Sequence, residues 1–138
     1  MGPTDRLNEY LKTIKNAPFE WGKHDCFTFT NTAFKEMYGE GWGDDLSGRY
    51  MSNKGTPLRR DALKKAFGYK TFEAAVDDRL VPYEGVPPRG SLVTTKHSQR
   101  WVIGVAMGIS VGTSAVFLSK EGLLSLPIEM IDRAWTRK

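Results

Sequence analysis

The chain has 138 residues, with 20 Lys and Arg against 16 Asp and Glu and a formal net charge of +4 at pH 7. This length suits one domain over residues 1–138 with its own core. The composition, with 40% hydrophobic and 26% charged residues, excludes a disordered or low-complexity protein. A lone cysteine, Cys26, forms no internal disulfide, and no basic-then-apolar leader precedes the first predicted helix, so we expect a reducing cytoplasm as the place of synthesis.

The first part of the chain, from about residue 4 to residue 80, has the spacing of helices. Apolar residues at helical intervals predict a first helix that is capped by Thr4 or Asp5 and ends before Pro18. A second helix is expected from Cys26 to Tyr38, stopped by Gly39. Two further helices are predicted by their boundary residues, which are Thr56 and Pro57 with Gly68 for the third and Thr71 for the start of the fourth.

The second part, from about residue 90 to residue 136, has the pattern of short strands. Pro87, Pro88 and Gly90 break the chain before it. The predicted strands are 91–95, 101–107, 113–118, 123–126 and 133–136. Helices followed by an antiparallel meander predict an α+β fold in which the N-terminal helices pack on a C-terminal antiparallel sheet.

The stretch 101–118 contains no charged residue and is long enough to be considered as a membrane span. Its β-branched residues fall into two groups, separated by a turn that we expect between Gly108 and Gly112. This pattern favours two buried strands, and we expect no membrane span.

Charge and metal-ligand content argue against several other classes of function, among them a small basic nucleic-acid binder, an alternative that rests on charge alone. The densest basic patch is Arg59, Arg60, Lys64 and Lys65 on one helix face, and no aromatic residue interleaves it, so no nucleic acid partner is expected. One cysteine and two histidines do not supply a structural zinc site, and the side chains of adjacent aspartates point apart. We therefore expect neither a metal nor another cofactor.

Cys26 is the residue with the clearest chemical potential. A thiol at a helix N-terminus experiences the positive end of the helix dipole, which favours the nucleophilic thiolate. A nucleophilic cysteine also needs an imidazole base. His24 is a poor partner because it lies only two residues away, and His97 is the remaining candidate, although a solvated loop histidine is the simpler interpretation. The alternative for Cys26 is a small hydrophobic residue of the core.

A glycine-rich loop follows the second predicted helix and carries Trp42. An exposed tryptophan among glycines is a candidate contact for a partner or a glycan, with Arg49 and Tyr50 nearby, and burial in the core is the alternative for Trp42. We therefore predict a partner-binding surface formed by Trp42, Arg49 and Tyr50.

The run from Pro18 to Phe27 contains Trp21, Gly22, Asp25 and Cys26. This run resembles the Trp-Gly-x-x-Asp-Cys start of the NlpC-like branch of papain-fold cell-wall peptidases, and more closely the short NlpC-like tail-assembly proteins of tailed bacteriophages. The resemblance extends through most of the chain and implies a papain-like fold. It places Cys26 at the family's nucleophile and Asp25 at the acidic residue that precedes it.

The sequence also departs from the active members of that family. Val102 stands where the resemblance implies the catalytic histidine, and Ser91 stands where an aspartate starts a strand. No histidine, asparagine or glutamine in 113–118 supplies the third, orienting residue. Loss of a general base lowers the catalytic rate by a factor of about 10² to 10⁴, which points to a catalytically degenerate protein.

Two functions follow from the resemblance. The first is a phage tail assembly or tail-tip protein without catalysis, present in the virion, made in the host bacterial cytoplasm and bound to other tail proteins. The alternative is an active cysteine endopeptidase or amidase that cleaves peptidoglycan peptides during phage entry, with Cys26 as nucleophile and His97 as base.

Overall fold

The computed structural model describes residues 1–97 and 105–138, and within these ranges four α-helices accompany one six-stranded sheet. The helices are α1 (Pro3–Thr13), α2 (Cys26–Tyr38), α3 (Arg60–Phe67) and α4 (Phe72–Asp77). The strands are β1 (Val81–Tyr83), β2 (Leu92–Thr95), β3 (Ala106–Ser110), β4 (Ser114–Ser119), β5 (Gly122–Pro127) and β6 (Arg133–Thr136). The predicted α+β class is confirmed.

Local capping signals determine the ends of the helices that the sequence predicted best. α2 begins directly after its N-cap residue Asp25 and ends at Gly39, which has a φ of 89° that a residue without a side chain adopts without strain. α4 begins after Thr71, whose hydroxyl oxygen accepts a hydrogen bond from the Ala74 N–H at 3.1 Å.

Two predicted helix starts are wrong. α1 begins at Pro3, ahead of the expected caps Thr4 and Asp5, because a proline is well tolerated in the first helical turn. α3 begins only at Arg60. Pro57 instead pairs with Met51 in an isolated β-bridge, and this extended pairing holds the chain out of the helix.

All neighbouring strands of the sheet are antiparallel, in the order β1-β6-β2-β3-β4-β5. Strands β2 to β5 form the predicted meander, while β6 returns to the free edge of β2 and β1 pairs with β6. The sequence did not predict β1, which has only three residues. The early part of the predicted strand 101–107 lies outside the described residues.

The turn between β3 and β4 lies later than predicted, because β3 continues through Gly108. Gly108 is opposite Phe117 in the register. A Cβ atom at Gly108 would lie 2.6 Å from the Phe117 ring and 2.5 Å from the Val116 carbonyl oxygen. The aromatic ring therefore packs directly on the β3 backbone, which requires glycine at this position.

The main core lies between the helices and one face of the sheet, with α2 packed on β3 and β4. Phe27 and Phe29 from α2 are fully buried, as are Met107 and Trp135 from the sheet. The Trp135 Nε1–H donates to Asp77 Oδ1 at 2.8 Å and so connects β6 with the end of α4. A second buried cluster on the opposite face of the sheet consists of Val93, Ala106, Ala115, Phe117 and Ala134.

None of the helices in the described ranges has the length and apolar character needed to cross a membrane.

Candidate functional site

Asp25 is the centre of a buried hydrogen-bond cluster at the start of α2. Its side chain is fully buried and accepts hydrogen bonds from the Gly22 N–H at 2.7 Å, the Thr28 N–H at 2.8 Å and the Tyr50 hydroxyl at 2.5 Å. The Thr28 hydroxyl completes the capping box by accepting from the Asp25 N–H at 2.7 Å. One carboxyl group thus joins a turn, a helix start and a loop, which is a positioning role.

The environment of Tyr50 keeps its hydroxyl protonated, so that it can donate a hydrogen bond. Burial and the neighbouring Asp25 raise the pKa of Tyr50 well above its ordinary value. The phenol stays protonated across the physiological pH range and keeps its hydrogen bond to Asp25. Asp25 and Tyr50 therefore form a buried hydrogen-bonded pair next to Cys26, the first residue of α2.

Cys26 is the first residue of α2, as predicted, and only 7% of its surface is exposed. Burial first, and the charge of Asp25 second, raise the pKa of the Cys26 thiol to about 12. Hydrogen bonding to the backbone of Phe27 and Met107 favours the thiolate but does not compensate. The expected lowering of the thiol pKa by the helix terminus is therefore wrong, because desolvation outweighs the helix dipole here.

The two imidazoles do not supply a base to this thiol. His97 is exposed after β2, and its backbone N–H donates to Thr95 Oγ1 at 3.1 Å. His24 is partly buried, and burial lowers its pKa. In the ranges that the structure describes, neither imidazole hydrogen-bonds to Cys26, and His24 Nε2 has no hydrogen-bond partner. Val102, which we predicted beside the thiol, lies outside the described residues.

The predicted partner-binding surface is wrong for its two aromatic residues. Trp42 is only 5% exposed, and its Nε1–H donates to Thr30 Oγ1 at 3.1 Å, while its ring packs edge-on against Phe27. Tyr50 is fully buried against Asp25. Arg49 alone is exposed, and its guanidinium donates to the Ala66 carbonyl oxygen.

The glycine-rich loop is drawn inward by polar side chains of α2. Asn31 Oδ1 accepts from the Gly43 N–H at 2.8 Å, and Asn31 Nδ2 donates to Asp44 Oδ1 at 2.8 Å. A Cβ atom at Gly41 would lie 2.2 Å from Asn31 Oδ1. The glycines therefore allow close approach to α2, and this approach buries Trp42.

The adjacent carboxylates of Asp44 and Asp45 are engaged in structural contacts. Arg79, a largely buried side chain, pairs with Asp45 at 2.5 Å and holds the pKa of that carboxyl below its usual value. The Asn31 hydrogen bond lowers the pKa of Asp44 in the same way. In the part of the chain that the structure describes, no three His, Cys, Asp or Glu residues are grouped so that they could hold a metal ion.

A family model described as a domain of unknown function, DUF6950, matches residues 3–137. The chain belongs to the DUF6950 family. No curated protein matches it significantly. The residues of the candidate site in this DUF6950 chain are therefore identified from the contacts that they make in its structure.

Sequence reasoning selected Asp25 and Cys26 as candidate residues but did not predict the contacts that surround them. The spacing of Asp25 and Thr28 is a capping-box signal that was available in the sequence. The contact between Asp25 and Tyr50 spans 25 positions and has no local signal. Burial of the thiol also depends on how α2 packs on β3, which helix position alone does not reveal.

Proposed function

We propose that this DUF6950 chain is a phage tail assembly or tail-tip protein, built on an NlpC-like papain fold that has lost catalysis. The fold proposal is supported by how the resembling residues are arranged. Gly22 forms a turn onto Asp25, Asp25 caps α2, and Cys26 opens α2 where it packs on an antiparallel sheet. These are the parts from which a nucleophile-bearing helix of a papain-like enzyme would be made.

The observation that carries the loss of catalysis is the state of the thiol. Cys26 is 7% exposed, its pKa is raised to about 12, and no imidazole bonds to it among residues 1–97 and 105–138. A cysteine nucleophile needs a thiolate, access for substrate and a nearby base. Cys26 instead acts as a small buried side chain that packs α2 on the sheet.

The location in the virion and the binding to other tail proteins rest on the resemblance to tail-assembly proteins. The experiment is deletion of the gene in the phage or prophage that encodes the chain. We expect tail-defective particles with normal heads, and we expect the protein in purified wild-type virions by mass spectrometry. Infectious particles that never contain the protein would contradict the proposal.

The alternative activity is tested on the purified protein with peptidoglycan peptides as substrate. We expect the wild-type protein and Cys26→Ala to show the same background, because the thiol is protonated and covered. Iodoacetamide should alkylate native Cys26 far more slowly than the unfolded chain. Cleavage that the Cys26→Ala change abolishes would establish the cysteine endopeptidase or amidase instead.

A further inference from the structure

Residues 81–86 form an exposed segment at the edge of the sheet that combines apolar side chains with one carboxylate. Val81, Tyr83 and Val86 are 45%, 42% and 69% exposed, and they are three of the five large exposed hydrophobic residues in the described part of the chain. Glu84 lies between them, also exposed. Three exposed apolar residues within one six-residue segment make the segment a candidate interaction site.

The backbone of β1 is poorly suited to pairing with another strand. β1 has three residues, and its central residue, Pro82, has no N–H to donate to a neighbour. Proline on an edge strand opposes strand addition. The segment therefore offers its side chains rather than its backbone.

A pocket of suitable chemistry lies between α3 and α4. It has a volume of about 190 Å³, an apolar floor and a rim with more basic than acidic residues. The floor is formed by Leu63, Phe67 and Phe72, and the rim includes the bases Arg60, Lys64 and Lys70 with one carboxylate, Glu73. Because an apolar cavity of about 150 Å³ holds a benzene ring, this pocket has room for a valine or tyrosine side chain.

The charges at the segment and at the pocket are complementary. Lys64 and Lys70 are exposed and form no ion pair within the described ranges, and the same is true of Glu84. Nucleic acid would satisfy the lysines through phosphate but would bring no aliphatic group to the pocket floor. A segment with an apolar side chain next to a carboxylate can contact the apolar floor and the basic residues of the rim together. Residues 81–86 contain both kinds of side chain.

We propose that the exposed segment 81–86 of one copy binds the pocket between α3 and α4 of a second copy, with Val86 on the pocket floor and Glu84 facing Lys64 and Lys70. Tyr83 pairs with Ala134 on the sheet face away from the helices, and the segment and the pocket share no residue. Two different surfaces thus meet, so the contact is head-to-tail and builds rings or chains of copies. The inference does not depend on the proposed function.

Sedimentation velocity over a range of concentrations and salt tests the contact. The wild-type protein should form species larger than the 15.5 kDa monomer, and high salt should weaken them. Val86→Asp and Lys64→Glu should each weaken association by about tenfold or more. Lys54→Glu is the matched control, because it makes the same charge change at an exposed loop position and should associate like wild type.

Mixing the two defective variants identifies the two surfaces. Val86→Asp retains the pocket but lacks the apolar contact, and Lys64→Glu retains the segment but has a defective pocket. At a concentration at which each variant alone is monomeric, an equimolar mixture should form a dimer and nothing larger. Both positions are exposed, and unchanged thermal melts exclude misfolding as the cause.

Three outcomes would overturn the proposal. The first is a wild-type protein that stays monomeric at the highest soluble concentration in low salt. The second is a mixture of Val86→Asp and Lys64→Glu that gives no dimer. The third is a labelled single-stranded DNA oligonucleotide that binds the monomer through Lys64 without requiring Val86, which would make the pocket a nucleic acid site.

Discussion

The side chain of Asp25 sets the geometry at the start of α2, and its bond from Tyr50 can be tested by removing one oxygen. Tyr50→Phe deletes a donor to a buried carboxyl group while keeping the ring, so we expect a loss of about 2 kcal/mol in the free energy of unfolding. Urea denaturation measures this loss. Tyr83→Phe is the matched control, because Tyr83 is 42% exposed, and it should leave the midpoint unchanged at a concentration at which the protein is monomeric. Equal effects of the two changes would contradict the role given to Tyr50.

The buried thiol of Cys26 makes the stability of the protein depend on alkaline pH. The folded protein holds the thiol proton up to a pKa of about 12, whereas the unfolded chain loses it near the ordinary value of 9.0. The unfolded state then binds fewer protons, so the free energy of unfolding falls as pH rises from about 9 towards 12.

Cys26→Ala should remove that part of the pH dependence. Between pH 8 and pH 10, urea denaturation should show wild type losing about 1 kcal/mol more than Cys26→Ala. Titration of lysines and tyrosines is common to both proteins and cancels in the comparison. Identical slopes in the two proteins would mean that the thiol ionises as easily in the folded state as in the unfolded one.

For single residues, the sequence predicted which element a residue belongs to better than it predicted the contacts around that residue. The position of Cys26 after Asp25 indicated a helix start, and the structure confirms it. The exposure of Trp42 was predicted wrongly because glycines were interpreted as a sign of an open loop. The same glycines instead let the loop approach Asn31, a contact between positions that local pattern does not connect.

The connection between α2 and the glycine-rich loop depends on the missing side chain of Gly41. Gly41→Ala would place a Cβ 2.2 Å from Asn31 Oδ1 and should lower the free energy of unfolding by about 2 to 3 kcal/mol. Gly55→Ala is the control, because Gly55 has a φ of 79° but open space around it, and it should cost only about 1 kcal/mol. Thermal melts distinguish the two losses of stability. A larger loss for Gly55→Ala than for Gly41→Ala would show that the glycine-rich loop shifts easily to accept a Cβ atom.

The elements that the sequence predicted well are those with signals at both ends. α2 has Asp25 and Gly39 as its limits, and both limits are observed. The start of α3 was missed because Pro57 is compatible with an extended bridge as well as with a first helical turn. β1 was missed because three residues around a proline carry no strand periodicity, and its pairing with β6 joins distant parts of the chain.

For the molecule as a whole, the order of helices before strands was sufficient to predict the α+β class. It was not sufficient to predict the order of strands, because β6 returns past the meander to pair with β2. This return brings Trp135 into the core beside the helices and connects the sheet to α4 through Asp77. The scaffold that holds α2 therefore involves both ends of the chain.

On the proposed function, the protein works as a structural part of a phage particle and not through its thiol. Complementation of the deletion with Cys26→Ala tests this most directly, with a thermal melt of the purified variant to exclude loss of folding. We expect the same plaque titre for Cys26→Ala as for the wild-type gene. Loss of infectivity by a Cys26→Ala protein that melts normally and still enters the particle would contradict it.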